Sequence, residues 1–291
     1  MPKTILITGS TDGIGKHLAI KLAGEGHEVI LHGRNPQKLQ MTRQEIQERT
    51  GSTKLHAYLA DLSRLSDVLN LAKEISRDFD KIDVLVNNAG LFTGQQRQLT
   101  EDGVELTFML SVLVPYVLTK EVMPLLEKSD AGRVINISSF MHHLAKPKGL
   151  DFNLDNSYTP NLAYYNAKLY NIWLTKYQAR ELANKGSKIT VNTYHPGLIA
   201  TNIGNDTSDD KTNQSLMLKV MNYFKKSLDE GIKTAYYLVM SDQVATMSGH
   251  YFDDNKLKWV SLKCYTDRKA QALINFCKEK VREASDFSLN K

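Results

Sequence analysis

Short apolar runs and longer amphipathic stretches alternate along the whole chain. The apolar runs lie at 5–8, 28–31, 55–59, 84–87, 134–137, 189–194 and 249–252. Several of them are continuously apolar rather than alternating, which is typical of parallel strands that are buried on both faces. The sequence therefore predicts about seven strands in a parallel sheet.

The stretches between these strands carry helix signals. Asn35 and Pro36 supply an N-cap and a proline for the first helical turn, and Gly51 supplies a stop. The predicted helices include 36–50, 63–79, 160–185 and 267–284. Strands that alternate with helices predict an α/β fold, in which a doubly wound parallel sheet has helices on both faces.

Composition sets limits on this prediction. The 291 residues are 42% hydrophobic and 24% charged, as in globular proteins, and no linker or compositional break divides them. We expect one domain over 1–291, with the segment 202–225 as an insertion that begins with the polar stretch 202–213 at the carboxyl edge of the sheet. No apolar run reaches the roughly 18 residues of a transmembrane helix, and the chain starts directly with a strand-like run. We therefore expect no membrane anchor.

Charge and cysteine content narrow the expected partners and surroundings. The net charge of +5 is too small to indicate nucleic acid binding, and it is compatible with an anionic small ligand. The two cysteines, Cys264 and Cys277, match no zinc or redox spacing, which favours a reducing compartment and a cytoplasmic location. His142 and His143 are adjacent and lack a suitably spaced third ligand, so no metal site is predicted.

A glycine-rich turn follows the first strand and precedes an amphipathic helix. It reads GSTDGIG, and its predicted cofactor contacts are Gly9, Ser10, Thr11, Asp12, Gly13, Ile14 and Gly15. Glycine allows the backbone to approach a pyrophosphate closely, and the helix amino terminus presents free N–H groups to an anion. The spacing GxxxGxG departs from the commoner dinucleotide pattern GxGxxG, and an ordinary strand-to-helix turn is the alternative.

The end of the second strand bears on cofactor choice. Sites that prefer NAD place a carboxylate there to bond the ribose 2′-hydroxyl, whereas this strand ends with Gly33 and Arg34. Because a guanidinium can bind a 2′-phosphate through two hydrogen bonds, we expect NADP(H) to be preferred over NAD(H). Lys38 adds a weaker attraction. Asp61, with Leu62 beside it, is predicted to bind the adenine amino group, unless it instead caps the next helix.

Tyr164 and Lys168 form a YxxxK pair within the helix that Pro160 opens. Residues four apart share one face of a helix, so the lysine ammonium is expected beside the phenol. A phenol with a reference pKa of about 10 is a poor acid–base group at neutral pH, and a nearby positive charge lowers that pKa. The pair suits general acid–base chemistry on a carbonyl, although the same pattern also occurs on ordinary helix surfaces.

Five motifs in a fixed order resemble those of the short-chain dehydrogenase/reductase family. They are the glycine turn, NNAG at 87–90, NISS at 136–139, the YxxxK pair, and HPG at 195–197. The resemblance covers about residues 3–255 and implies a Rossmann-type fold with hydride transfer to or from NAD(P)(H). The long step from Ser139 to Tyr164 and the Gly-Arg pair resemble the retinol dehydrogenase-like branch, which includes the protochlorophyllide reductases.

The resemblance implies a role for each matching residue. Tyr164 is the general acid in reduction and the base in oxidation, and Lys168 lowers its pKa and binds the nicotinamide ribose. Ser139 donates to the substrate oxygen and stabilises the developing alkoxide. Cofactor contacts are further implied for Asn88, Ala89, Gly90, Pro196, Gly197, Ile199 and Thr201. The family often has a relay asparagine where this chain has Ser111, so we expect an altered proton relay.

Three functions fit these observations. We expect an NADP(H)-dependent oxidoreductase that acts on a small-molecule carbonyl or alcohol, while the substrate and the oligomeric state stay open. A regulatory protein that senses the nucleotide without useful chemistry is the first alternative, and Ser111 is the one feature in its favour. A sugar-nucleotide epimerase of the same superfamily is the second, but such chains are usually longer and use a TGxxGxxG turn.

Overall fold

Eight strands form one sheet in the computed structural model, which describes residues 1–92, 94–197, 227–260 and 265–289. The strands are β1 (Thr4–Ile7), β2 (Glu28–Gly33), β3 (Leu55–Leu59), β4 (Val84–Asn87), β5 (Arg133–Ile137), β6 (Thr190–Tyr194), β7 (Tyr251–Asp253) and β8 (Lys256–Leu257). Their order across the sheet is β3-β2-β1-β4-β5-β6-β7-β8, and β1 to β7 pair in parallel. This arrangement confirms the predicted parallel sheet.

The sequence does not predict the last strand, β8. It is two residues long, exposed and antiparallel to β7. The chain reverses at Asp254 and Asn255 with φ angles of 50° and 61°, in the left-handed region that these residue types adopt more readily than most. Two exposed residues carry no periodic signal, so this edge hairpin cannot be found from the pattern.

Helices cover both faces of the sheet. They are α1 (Gly13–Gly24), α2 (Pro36–Thr50), α3 (Leu65–Asp78), α4 (Leu106–Phe108), α5 (Val114–Glu121), α6 (Met123–Leu126), α7 (Pro160–Asn184), α8 (Leu228–Met240) and α9 (Asp267–Leu289). Side chains of α1, α2 and α8 form one core, and those of α3, α5, α7 and α9 form the other. Successive side chains of a strand point into opposite cores. In β1, Leu6 packs in one core, and Ile5 and Ile7 pack in the other. None of the helices within the described ranges has the length and apolar character needed to cross a bilayer.

The start of α3 differs from the prediction. The helix begins at Leu65, and neither Asp61 nor Ser63 caps it. Asp61 instead accepts hydrogen bonds from the N–H and the hydroxyl of Ser63, at 3.0 and 2.8 Å. The carboxylate of Asp102 accepts from the N–H of Leu65 at 2.9 Å. The alternative in which Asp61 caps this helix is therefore wrong, because a carboxylate from a distant loop takes that place.

The strand order places the candidate site at the carboxyl ends of β1, β4 and β5. The winding of the chain reverses between β1 and β4, which are neighbours in the sheet but not in sequence. Ligands of open α/β sheets bind in the crevice at such a switch point. The loops that leave these three strands carry the glycine turn, the NNAG motif and Ser139.

Candidate active site

The glycine turn is packed so closely that glycine is required at two of its positions. Gly9 has a φ of 63°, and a Cβ there would lie 3.0 Å from the Cα of Ala89. A Cβ on Gly15 would lie 2.4 Å from the amide nitrogen of Asn88 and 2.5 Å from the carbonyl oxygen of Gly9. This cradle of bare backbone leads into the amino terminus of α1, and it fits the diphosphate of a dinucleotide.

Asn88 supports the turn through its side chain. Its amide nitrogen donates to the carbonyl oxygens of Thr8 at 2.8 Å and of Gly9 at 3.0 Å. The hydroxyl of Thr8 accepts in turn from the backbone N–H groups of Asn88 and Ala89. The sequence gives no sign of these bonds, because the two segments are 80 residues apart. The contact of Asn88 with the adenosine ribose stays a prediction.

The first turn of α1 presents N–H groups that no described residue uses. Asp12 caps the helix by accepting from the N–H of Gly13 at 2.7 Å, whereas the N–H groups of Ile14 and Gly15 have no partner within the described ranges. The carboxylate of Asp12 also pairs with Lys38, and their Oδ2 and Nζ atoms are 2.6 Å apart. This ion pair weakens the attraction that Lys38 can exert on a phosphate.

Arg34 stands immediately after β2, beside the glycine turn. Its side chain is exposed and has no hydrogen bond or ion pair within the described part of the chain. The preceding position, Gly33, is restricted to glycine on steric grounds, because a Cβ there would lie 2.5 Å from Cγ2 of Thr11. The Gly-Arg pair therefore offers a guanidinium and no carboxylate at this strand end.

Asp61 and Leu62 follow β3 at the same edge of the sheet. Burial alone raises the pKa of the Asp61 carboxyl, but hydrogen bonds from Ser63 and the charges of Arg34 and Arg64 lower it overall. Asp61 therefore carries a negative charge at neutral pH. Leu62 is buried, and its contact with a cofactor stays a prediction.

Ser139 and Tyr164 meet beyond the carboxyl end of β5. Ser139 caps the short 3-10 turn Phe140–Leu144, where its hydroxyl oxygen accepts from the N–H of Met141 at 3.2 Å. The same hydroxyl is close enough to the phenol of Tyr164, near the start of α7, to lower the pKa of that phenol. Two of the predicted catalytic groups are therefore neighbours in the structure.

Lys168 lies one turn further along α7 and is almost fully buried. Its Nζ donates to the carbonyl oxygen of Ile137 at 3.1 Å and lies 5.5 Å from the centre of the Tyr164 ring. The hydroxyl of Ser138 donates to the carbonyl oxygen of Lys168 at 2.8 Å and so holds this part of α7 against β5. The NNAG segment reaches the same place, because a Cβ on Gly90 would lie 3.7 Å from the Lys168 Nζ.

The pKa of Tyr164 moves in the direction opposite to the expectation. Burial raises the pKa of its phenol, and the nearby Ser139 hydroxyl opposes that rise only in part. Burial also lowers the pKa of Lys168 to about 8, and its Nζ is bonded to Ile137. Burial therefore shifts both groups toward their neutral forms, although Lys168, with a pKa of about 8, still holds its proton at neutral pH.

Ser111, which aligns with the relay asparagine, lies in the π-helical turn Met109–Leu113 between α4 and α5. Its hydroxyl is buried and has no hydrogen-bond partner within the described residues. Its carbonyl oxygen accepts from the side-chain amide of Asn171 at 2.8 Å. Pro115, four residues later, has no N–H to offer, so the usual helical partner of this carbonyl is missing.

Asn171 is a residue of the site that sequence reasoning missed. It is buried on α7 and joins Ser111 to Thr193 of β6, since its Oδ1 is 3.1 Å from the Thr193 hydroxyl. Two signals for it exist in the sequence. The first is that Asn171 shares a helix face with Lys168, which lies three residues before it. The second is that Pro115 has no N–H, so the carbonyl of Ser111 needs another donor.

Two loops form the expected substrate side of the site. Phe92, after β4, packs its ring 5.3 Å from the ring of Tyr164. The phenol of Tyr158 donates to the carbonyl oxygen of Gly94 at 3.2 Å. The loop after β4 and the segment 140–158 are thus joined beside Tyr164.

The segment after β6 is described only in part. The Nδ1 of His195 accepts from the N–H of Gly197 at 2.9 Å, and Gly197 has a φ of 91°. Pro196 and Gly197 therefore form a tight turn at the carboxyl edge of the sheet. The predicted cofactor residues Ile199 and Thr201, the insertion 202–225 and Cys264 lie outside the described residues.

Comparisons with known proteins agree with this geometry. Residues 3–212 match the short chain dehydrogenase family, and this range contains the glycine turn, Ser139, Tyr164 and Lys168. The chain is 30% identical to retinol dehydrogenase 11 of Homo sapiens over 271 residues, 93% of this chain and 83% of that protein. A crystal structure of a Mycobacterium paratuberculosis protein has a TM-score of 0.72 at 24% identity and covers 96% of this chain and 93% of its own. A short-chain dehydrogenase from Escherichia coli CFT073, solved with NADPH, has a TM-score of 0.67 at 25% identity, covering 87% and 97%.

Proposed function

The chain belongs to the short-chain dehydrogenase/reductase family, in its retinol dehydrogenase-like branch, and on that premise we propose that it is an NADP(H)-dependent oxidoreductase. It works as one catalytic domain over 1–291 and transfers a hydride between the nicotinamide and a small-molecule carbonyl or alcohol. The observation that carries the proposal is the placement of the Ser139 hydroxyl beside the phenol of Tyr164, with the Lys168 Nζ 5.5 Å from the centre of the Tyr164 ring. A serine hydroxyl and a phenol side by side are suited to act on one carbonyl oxygen.

In reduction, the substrate carbonyl oxygen accepts hydrogen bonds from Ser139 and Tyr164. A nicotinamide held by the chain would supply the hydride, and the substrate oxygen would gain negative charge. Ser139 stabilises that charge as a hydroxyl donor, and Tyr164 gives the oxygen its phenolic proton. Lys168 has a pKa of about 8, so its protonated form can stabilise the phenolate that remains. In oxidation, the phenolate of Tyr164 takes the proton of the alcohol.

The residues that follow β1, β2 and β3 are the basis for proposing NADP(H) as the cofactor. The cradle of the glycine turn and the free N–H groups of α1 would hold the diphosphate, and Arg34 would bind the 2′-phosphate. The further contacts proposed are Asp61, Leu62, Asn88, Ala89 and Gly90 for the adenosine half, and Lys168, Pro196 and Gly197 for the nicotinamide half. The NADPH-bound relative, at 25% identity, supports this class of cofactor.

A turnover assay tests the proposal. We expect the wild-type chain to consume NADPH with at least one substrate class among aldehydes, ketones, quinones and retinoids. Tyr164→Phe removes the phenolic proton and keeps the ring against Phe92, so turnover should fall by about 10²–10⁴-fold. Tyr165→Phe, at the neighbouring tyrosine, is the matched control and should keep its turnover.

Titration of NADPH fluorescence separates the outcomes. Both variants should bind NADPH with nearly wild-type affinity, because neither change removes a proposed contact with the diphosphate or the 2′-phosphate. Wild-type turnover in Tyr164→Phe would overturn the assignment of the proton donor. Tight NADPH binding without turnover of any substrate class would instead favour the regulatory alternative.

A further inference from the structure

His32, the last residue but one of β2, is buried against the glycine turn and is 3% exposed. Its Nδ1 accepts from the backbone N–H of Gly9 at 3.0 Å. Its Nε2 lies 3.1 Å from the carbonyl oxygen of Ala60, the residue after β3. One imidazole ring therefore joins the turn to the end of the neighbouring strand.

The backbone of His32 holds the next residue of the same turn. Its N–H donates to the hydroxyl of Ser10 at 2.8 Å, and its carbonyl oxygen accepts from the N–H of Ser10 at 2.9 Å. Gly9 has a φ of 63°. Glycine loses more backbone conformational freedom on folding than any other residue type. The turn therefore depends on contacts of this kind to keep a single shape.

These partners determine where the proton of the His32 ring lies. The N–H of Gly9 needs an acceptor, so Nδ1 carries no proton, and the carbonyl oxygen of Ala60 needs a donor, so Nε2 carries it. Burial lowers the pKa of His32 to about 4, against the opposing effects of Ala60 and Asp61. The ring is therefore neutral at physiological pH and keeps its acceptor for Gly9.

We propose that His32 is a positioning residue for the cofactor, which orients the Gly9 amide so that the rest of the turn can receive the diphosphate. The N–H of Gly9 is already bonded to the imidazole, so Gly9 sets the path of the turn rather than binding phosphate itself. The inference rests on the proposed function in taking NADP(H) as the ligand.

Two substitutions separate the two bonds of the ring. His32→Asn places an amide oxygen where Nδ1 lies and keeps an acceptor for Gly9, but it is too short to reach Ala60. His32→Gln extends one bond further and keeps a donor for Ala60, but it leaves the N–H of Gly9 without an acceptor. Each variant loses one buried hydrogen bond, so both should lose similar thermal stability and serve as controls for each other.

The first readout is NADPH binding, followed by fluorescence. We expect His32→Gln to raise the Kd for NADPH by about two- to tenfold, which corresponds to one hydrogen bond. His32→Asn should stay within about twofold of wild type, because it retains the bond that orients the turn. The second readout is hydrogen exchange of the Gly9 amide in the cofactor-free protein, which should be faster in His32→Gln and remain protected in His32→Asn.

Each outcome decides a different point. Equal Kd values in the two variants, or a greater loss in His32→Asn, would overturn the inference. If His32→Gln does not fold, loss of Gly9 protection or of NADPH binding in folded His32→Asn would overturn it as well. A wild-type chain that binds no NADPH would overturn the proposed function, while exchange at Gly9 would still test the role of His32.

Discussion

Replacing Lys168 by methionine should stabilise the folded chain while it removes activity. Lys168 is 5% exposed, and its Nζ donates to the carbonyl oxygen of Ile137. Burial is the cause of its lowered pKa, and no carboxylate within the described ranges pairs with it. Methionine has a similar length and flexibility but no charge to bury. The change therefore removes the cost of a buried ammonium.

The magnitude follows from the pKa of Lys168. Burial lowers that pKa from the ordinary value of 10.5 to about 8, and one pKa unit corresponds to about 1.36 kcal/mol. The charged form is therefore disfavoured by about 3 kcal/mol at neutral pH. Loss of the hydrogen bond to Ile137 offsets about 1 kcal/mol of this gain. We expect Lys168→Met to raise the free energy of unfolding by about 2 kcal/mol at neutral pH.

The pH dependence of this gain has a definite sign. In the unfolded chain Lys168 keeps its proton up to about pH 10.5, whereas the folded chain releases it near pH 8. Between these values the unfolded state binds more protons, so the contribution of Lys168 to stability rises with pH. Below pH 8 the penalty is complete. The advantage of Lys168→Met is therefore largest below pH 8 and shrinks as the pH rises toward 10.5.

Urea unfolding at neutral pH and at about pH 9.5 measures both effects. Lys176→Met, at a partly exposed lysine of the same helix, is the control and should change stability little at either pH. A Lys168→Met variant that is less stable than wild type at neutral pH would refute the reasoning. A gain that does not shrink at the higher pH would refute it too, because the stabilisation would then not come from the ammonium.

Two further predictions concern the serine pair and cofactor choice. Ser139→Ala should lower turnover by about 10²-fold, as the loss of an oxyanion donor does. Ser138→Ala removes the buried bond to the Lys168 carbonyl, so unfolding experiments should show a loss of about 1 kcal/mol and kinetics a smaller effect; reversed kinetic effects would contradict the assignment. Arg34→Ala should weaken NADPH binding by about ten- to a hundredfold with little change for NADH, and Lys38→Ala should weaken it less. Equal wild-type affinities for NADPH and NADH, unaltered in Arg34→Ala, would rule out the proposed preference.

Much of the fold follows from signals that act within a few residues. Asn35 caps α2 by accepting from the N–H of Lys38, and Gly51 ends it with a φ of 70°. Thr159 caps α7 by accepting from the N–H of Leu162. The strand runs are equally local, because a parallel strand buried on both faces must be apolar along its length. Such features can be predicted without knowing what the rest of the chain does.

Features that depend on distant residues could not be predicted in this way. The cap of α3 comes from Asp102, 37 residues after Leu65. Asn171 reaches Ser111 across 60 residues, although the missing N–H of Pro115 marks that carbonyl in the sequence. Contacts of this range are products of the assembled sheet, and a local pattern can mark one group without specifying its distant partner.

Two separate requirements favour glycine at position 33, beside the cofactor turn. In the sequence, Gly33 matters because it stands at the strand end where sites that prefer NAD carry a carboxylate. In the structure it also has a steric role, since a Cβ would lie 2.5 Å from Cγ2 of Thr11. Introducing aspartate at position 33 would therefore disturb the turn as well as the charge. Arg34→Ala is the cleaner test, because the side chain of Arg34 is exposed.

Burial also changes what the YxxxK spacing means chemically. The spacing brings an ammonium near a phenol and predicts a lowered phenol pKa, but burial raises the pKa of Tyr164 and lowers that of Lys168. Tyr164 therefore keeps its proton at neutral pH, the state that a general acid needs for reduction of a carbonyl. The same low-polarity surroundings strengthen its hydrogen bond to a substrate oxygen that becomes negative. An alcohol substrate would first require loss of that proton, so oxidation should depend more steeply on rising pH than reduction does.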